Sequence, residues 1–331
     1  MDSQRSTDGS RYRLDLERAI EVVKEMGICK VGLQVPEGLK RSAHSIARLI
    51  REQTSAEVIV SGEPCYGACD LDLALAREVD LLIHVGHARL LDEPMNVLYL
   101  EARMVGKRLR ESLAQAIPLL ESRRIGVVTT VQHVHLLDDA LDALSKAGIE
   151  GVIGPAGRRT PYPGQVLGCS FQAARSLDVP EFIFIGTGMF HPIGVALSTG
   201  KSVVALDPIT GEATIVDPSP LIRRRFGSIA RAGNARRFAV IASKKPGQRR
   251  MDLCERMMEL GRSHGKEMML VYVDRVDPDV LINLGVEAAV STACPRIALD
   301  DAARYNVPLL TPPEFELLLK EREEYKLDEI E

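Results

Sequence analysis

Glu57-Val-Ile-Val-Ser-Gly-Glu-Pro-Cys-Tyr-Gly-Ala-Cys-Asp-Leu-Asp72 passes from an apolar, strand-like run into a Gly/Pro turn bearing two thiols, Cys65 and Cys69, and then into a helical pattern. Open α/β sheets place their chemistry in loops at strand ends of this kind. A glycine-rich turn lets the backbone approach a large group, and thiolates suit soft metals. Two cysteines at this spacing make no complete site, so the partners of Cys65 or Cys69 must be sought elsewhere in the chain.

Working outward, the same unit surrounds this stretch. Apolar residues at 14, 16, 19, 20, 22, 23 and 26 predict a helix over Leu14–Met26 that stops at Gly27. Lys30-Val-Gly-Leu-Gln-Val35 reads as a strand closed by Pro36-Glu-Gly38, with a helix from about Leu39 to Glu52. Beyond the quoted loop come a helix over Leu71–Val79, a strand over Asp80–Val85 ending in Gly86-His87, and a strand over Asn96–Leu100. Residues 1–10 are polar and read as disordered.

The order then recurs twice. Arg124–Thr130, Gly151–Gly154, Glu181–Ile185 and Ser202–Leu206 read as strands of a second round, with a helix from about His133 to Ala147. Arg237–Ala242, Glu267–Val273, Glu287–Val290 and Val307–Leu310 read as strands of a third, with helices at about Gln248–Ser263 and Pro278–Leu284. The expectation is an α/β protein of three similar parallel-sheet domains, residues 11–115, 120–215 and 235–331, with a connecting basic helix in 216–234. The repeat rests on element order, since the sequences of the units hardly match.

Bulk properties exclude several classes. The 331 residues are 45% hydrophobic and 27% charged with a formal net charge of −4, the balance of an ordinary globular protein. Trp is absent and aromatics are 4%, which argues against a stacking platform for nucleic acid. No apolar run approaches the ~18 residues of a membrane span, and the N-terminus carries no secretory signal. Six cysteines are too sparse for a disulfide scaffold and indicate a reduced, cytoplasmic location, which turns clustered thiols towards metal or catalysis. Arg223–Arg250 holds ten Lys or Arg and no acid, whereas Glu314–Glu331 holds eight acids against three bases. Both are read as solvated faces, the basic one alternatively as a surface for an acidic partner.

Cys29 and Cys254 lie in regular patterns and read as small core residues. Cys69, Cys169 and Cys294 each sit in a Gly- or Pro-containing loop after a strand, one in each round, at separations of 169 − 69 = 100 and 294 − 169 = 125 residues. No local zinc or ferredoxin spacing resembles this. Packing of three similar domains around a pseudo-threefold axis would let three thiolates meet, a set suited to a [4Fe–4S] cluster with one iron open. Three unrelated buried cysteines fit the spacing equally well. Cys69 and Cys169 follow the second strand of their rounds, whereas Cys294 follows the third.

Tyr66-Gly-Ala-Cys-Asp70, Pro163-Gly-Gln-Val-Leu-Gly-Cys169 and Thr292-Ala-Cys-Pro-Arg296 resemble the three cysteine motifs of the archaeal diphthamide synthase family, the 2-(3-amino-3-carboxypropyl)histidine synthases. Val35-Pro-Glu-Gly-Leu39, Gly186-Thr-Gly-Met-Phe-His191 and Lys245-Pro-Gly-Gln248 are similar to other family segments, so the likeness spans about 12–315. The resemblance implies a homodimer in which Cys69, Cys169 and Cys294 ligate one [4Fe–4S] cluster. It implies cleavage of S-adenosyl-L-methionine at the Cγ–S bond, with a 3-amino-3-carboxypropyl radical adding to C2 of a histidine in translation elongation factor 2. That is the first step of diphthamide biosynthesis, and an external electron donor is needed. Cys65 has no required role in the family pattern. A Cys-x3-Cys-x2-Cys run is absent, because Asp72 occupies the third place.

With the resemblance, Gly186 and Gly188 become candidates to admit a ribose or methionine carboxylate, His191 a cofactor hydrogen-bond partner, and Arg296 a fork for the cofactor carboxylate. An ordinary turn and a structural histidine are the plain alternatives. Glu37 reads as a helix cap; His133 and His135, at i and i+2, do not face one another on a helix. Asp300 and Asp301 read as solvent-facing or capping, and His84 and His87 stand at a strand end. Two other functions compete: a quinolinate synthase-like Lewis-acid [4Fe–4S] enzyme, and a non-enzymatic metal-stabilised interaction protein.

Overall fold

The computed structural model describes residues 12–90, 96–105 and 109–330. The N-terminal stretch 1–10, read as disordered, lies outside them. Strand β1 (Tyr12–Arg13) precedes the helix Leu16–Glu25, whose cap Asp15 accepts from the Arg18 N–H at 3.2 Å. β2 (Lys30–Gln34), β3 (Glu57–Val60), β4 (Leu81–Val85) and β5 (Val97–Leu100) form the first sheet, in the order β3-β2-β4-β5. β6 (Arg103–Met104) pairs antiparallel with β1, which the sequence reading did not anticipate.

β7 (Arg124–Thr129), β8 (Glu150–Val152), β9 (Glu181–Ile185), β10 (Ser202–Leu206) and β11 (Ala213–Ile215) make the second sheet, ordered β11-β10-β9-β7-β8. β12 (Arg237–Ser243), β13 (Glu267–Val273), β14 (Ala288–Ser291) and β15 (Leu309–Leu310) make the third, ordered β13-β12-β14-β15. Counted along the chain, the first four strands of each of these three sheets run second, first, third, fourth, and β11 extends the second sheet beyond β10. All recorded pairs in the first and third sheets are parallel. In a sheet of this order the crossovers change direction beside the first strand, where loops at the carboxyl ends open a crevice for ligands. The strands read as continuous apolar runs because helices cover both faces: Leu81–Val85 and Glu181–Ile185 are buried at every position.

The chain divides into two compact units, one of Met1–Val166, Gln172–Gly188 and Val204–Thr214, the other of Leu167–Phe171, Met189–Val203 and Ile215–Glu331. Among the described residues, the first holds a core around each of the first two sheets. Val31, Leu33, Ile46, Ile50 and Ile83 pack around the first sheet, and Ile125, Val127, Leu144, Ile183 and Leu206 around the second. In the second unit Phe238, Val240, Met257 and Phe315 cover one face of the third sheet, while Ile241, Leu281 and Leu309 cover the other.

The segment after Gly188 is a helix from Phe190 to Thr199, so His191 lies in its first turn. The acidic tail is solvated only in part: Glu321, Glu323 and Glu324 are exposed, but Glu314, Leu327, Asp328 and Ile330 are buried, and Pro312–Leu318 is a helix. The basic run is not uniformly solvated either, because Arg225, in the helix Ser219–Ala232, is 1% exposed and paired with Glu314 at 2.6 Å. No helix among the described residues is long and apolar enough to cross a membrane.

Candidate functional site

The Ser61–Asp72 loop is held on both sides. Lys40 Nζ donates to the carbonyls of Gly62 and Glu63 at 3.1 and 2.9 Å and pairs with Glu37 at 2.5 Å, so Glu37 orients the loop's clamp instead of capping by a side-chain bond. Ser61 Oγ donates to Asp72 at 2.7 Å, and Asp72 caps the following helix by accepting from the Leu75 N–H at 2.9 Å. The buried Gln34, at the end of β2, donates through Nε2 to the Asp70 carbonyl at 2.8 Å and accepts from the Asp72 N–H at 3.2 Å. Asp70 in turn accepts from the Tyr66 N–H at 3.3 Å. These bonds fix the short path between Tyr66 and Asp72, and with it Cys69, which is partly exposed. A Cβ on Gly67 would stand 3.3 Å from Cys69 Sγ, so glycine keeps the space beside the thiol open.

Gln34 continues into β4. Its Oε1 lies 2.8 Å from His84 Nδ1, and His84 Nε2 lies 2.9 Å from His87 Nδ1. Burial drives the His84 pKa well below the ordinary histidine value, with His87 adding to the effect, and lowers His87 to about 4. Both rings are neutral at pH 7.

In the second unit Cys169 and Cys294 occupy adjoining loops. Leu167 and Ser170 exchange backbone hydrogen bonds of 2.9 and 3.2 Å, which pinches Gly168 and Cys169 into a tip. A Cβ on Gly168 would meet Phe190 at 2.6 Å and the Arg296 side chain at 3.0 Å, so the tip packs directly against the turn that follows Cys294. Cys294 stands at the start of the helix Pro295–Leu299, with proline as its first residue. Just before it, the Arg250 fork donates to the Thr292 carbonyl at 2.7 Å and the Ala293 carbonyl at 3.1 Å, and to Asp328 at 2.9 and 2.6 Å. The same C-terminal segment returns to the other tip. Ile330 N–H donates to the Cys169 carbonyl at 2.7 Å, and Glu329 accepts from the Phe171 N–H at 3.0 Å. Residues 328–330 thus strap the two cysteine loops together, a role that the tail's charge count concealed.

Arg296 stacks on the Phe190 ring at 4.5 Å and pairs with Asp300 at 2.8 Å, leaving half of its side chain exposed. Burial, with Arg296 as the second cause, lowers His191 to about 4. In the first unit Gly186 and Gly188 follow β9, and Gly188 adopts φ +77, a backbone shape that favours glycine. A Cβ on Gly186 would stand 3.6 Å from His133, a buried ring whose Nδ1 has no hydrogen-bond partner. Burial lowers His133 to about 4, with His135 contributing. His133 therefore belongs beside the Gly186 loop; its distance from Gly186 in sequence hid this. The structure brings Cys169, Cys294 and Arg296 together in the second unit, which also holds His191, whereas Cys69, Gly186 and Gly188 belong to the first.

Thiolates are the ligands that an iron–sulfur cluster takes, and the loop cysteines of each unit suit that chemistry. All six cysteines carry thiols; Cys69 and Cys169 lie on turns beside a glycine, and Cys294 directly precedes a helix that begins with proline. Cys169 is buried, whereas Cys69 and Cys294 are partly exposed.

Comparison with known proteins agrees over nearly the whole length. A family described as "Putative diphthamide synthesis protein" matches residues 35–330. The 2-(3-amino-3-carboxypropyl)histidine synthase of Pyrococcus horikoshii is 40% identical over 325 residues, 96% of this chain and 94% of that protein. The synthase of the same name from Methanocaldococcus jannaschii is 28% identical, covering 96% and 93%. Crystal structures of Dph2 from Pyrococcus horikoshii, one with a 4Fe-4S cluster, superpose with a TM-score of 0.90 at 38% identity over 96% of this chain and 94% of that one. The chain belongs to the diphthamide synthesis family.

Proposed function

We propose that the chain is a 2-(3-amino-3-carboxypropyl)histidine synthase acting, as a cytoplasmic homodimer, on translation elongation factor 2. It would transfer the 3-amino-3-carboxypropyl group of S-adenosyl-L-methionine to C2 of the target histidine, the first step of diphthamide biosynthesis. The observation that carries this reading is the 40% identity, over 96% of the chain, to a synthase of that name. Cys69, Cys169 and Cys294 would hold the [4Fe–4S] cluster, one from each of three sheets of equal strand order, arranged in this reading about a pseudo-threefold axis. When bound and reduced by an external donor, the cluster supplies one electron to the sulfonium for homolytic cleavage of Cγ–S.

The chain's own residues would decide which C–S bond is presented. Arg296 would exchange Asp300 for the methionine carboxylate while Phe190 keeps the guanidinium plane in place. Gly186 and Gly188 would admit the nucleoside against the backbone, and His191, neutral at pH 7, would offer an uncharged hydrogen bond. The test is anaerobic incubation of the reduced, iron-loaded chain with labelled S-adenosylmethionine and unmodified elongation factor 2. Release of methylthioadenosine with label on the histidine is expected. Intact cofactor, or cleavage to methionine and 5′-deoxyadenosine, would overturn the reading.

A further inference from the structure

Cys65 is 1% exposed and lies in the same loop as Cys69, yet it faces a different group of side chains. Its Sγ and one ring nitrogen each of His84 and His87 all lie within 4.8 Å of one another. Cys65 and His84 are buried, and His87 is partly buried. We propose that Cys65, His84 and His87 form a second metal site, separate from the Cys69–Cys169–Cys294 set, which takes a single zinc ion.

The side chains behind the trio support this assignment. Gln34 Nε2 donates to the Asp70 carbonyl, so the amide is oriented and Oε1 is the atom turned towards His84. Oε1 can only accept, so His84 Nδ1 carries the proton and Nε2 presents its lone pair inward. That is the arrangement in which a ligating histidine donates its other N–H to an oxygen. His87 Nδ1 sits 2.9 Å from that lone pair, so without metal it supplies a proton where a cation would otherwise sit. The turn is built for the approach: Gly86, between the histidines, has φ +96, and a Cβ there would meet Pro36 at 2.9 Å. One thiolate and two imidazoles are the ligand types zinc prefers. Tetrahedral bonds of about 2.3 Å to sulfur and about 2.0–2.1 Å to nitrogen put ligand atoms about 3.3–3.6 Å apart, within reach of this trio by small side-chain rotations. With three protein ligands, the fourth position stays open to solvent or to a donor from a bound molecule. The ion would fasten the loop after β3 to the end of β4 across Gln34, and so hold the segment that carries Cys69.

The test is metal analysis of the full-length chain, loaded anaerobically with iron and sulfide and exposed to Zn(II). About one zinc per chain is expected in addition to cluster iron, with X-ray absorption at the zinc edge giving one sulfur and two nitrogen ligands at those distances. Cys65→Ser and His84→Gln should each lose the zinc and keep the iron. Gln34→Met, which retains all three ligands, should weaken zinc binding about 10- to 100-fold in competition with a chelator. Absence of stoichiometric zinc in the wild-type chain would overturn the proposal. So would zinc undiminished in Cys65→Ser, or loss of iron alone in that variant, which would place Cys65 in the cluster site. Iron content and zinc content are separate readouts, so failure of the zinc site leaves the cluster reading standing.

Discussion

Arg296 occupies a position that only an arginine fills well: planar against Phe190, forked towards Asp300, and next to the Gly168–Cys169 tip. Lysine keeps the charge and loses both the stacking plane and the bidentate fork. For Arg296→Lys we predict a KM for S-adenosylmethionine raised about tenfold with iron content unchanged, since a charge-assisted hydrogen bond contributes about 1.5–3 kcal/mol. Steady-state kinetics on the iron-loaded variant checks this. His133 yields a pH prediction. Its folded pKa of about 4 lies below the unfolded value of about 6.5, so between these values the unfolded chain holds the extra proton. Stability from the neutral ring is complete above pH 6.5 and is lost as the pH falls towards 4, by at most about 1.4 kcal/mol per pH unit. Denaturant unfolding across that range should show a shallower pH slope in His133→Gln than in the wild-type chain. The cysteines were legible as residues because Gly and Pro bracket them. The partners of Cys65 were not, because β3 and β4 flank β2 in space while their loops stand apart in sequence.

At the scale of elements, the helix Ser219–Ala232 is anchored through one buried ion pair. Arg225 donates to Glu314 at 2.7 and 2.6 Å and to the carbonyls of Ala298 and Leu309 at 2.6 and 2.7 Å. Glu314 also accepts from the Thr311 N–H at 2.8 Å and the Tyr325 hydroxyl at 3.2 Å, and burial with that carboxylate alongside pushes the Tyr325 pKa up. Removing one partner strands the other in an apolar core. Arg225→Met should therefore cost about 3–5 kcal/mol in denaturant unfolding, and a double replacement of Arg225 and Glu314 by apolar residues should recover much of that loss. Most strands were readable from their apolar runs, and most helices from period and Gly stops. Pro192 and Gly194 disguise the Phe190–Thr199 helix in the sequence. Proline is tolerated in a first turn, and Gly194 leaves room for the Phe171 ring, which a Cβ would meet at 2.1 Å. The Pro312–Leu318 helix is signalled by Thr311, two prolines and Glu314, the start chemistry of a capped helix, which the segment's net charge masks.

Over the whole molecule, three sheets with the strand order second, first, third, fourth present their loops at equivalent strand ends. The loop after the second strand carries Cys69 in the first sheet and leads to Cys169 in the second; the loop after the third strand carries Cys294 in the third sheet. Element order alone made this repeat visible, and family membership now accompanies it. The 328–330 strap could not be foreseen, because its anchor Arg250 is 78 residues away and looks like one more charge in a basic run. The central claim is that one cysteine from each sheet builds a single redox site for S-adenosylmethionine. Electron paramagnetic resonance with iron analysis of the anaerobically reduced chain, with and without S-adenosylmethionine, tests it most directly when run on the wild-type protein and on Cys69→Ser, Cys169→Ser and Cys294→Ser. We predict a [4Fe–4S] signal that shifts on adding the cofactor in the wild-type chain and is lost or strongly reduced in each variant. Full cluster occupancy in all three variants, or no cluster in the reconstituted wild-type chain, would contradict it.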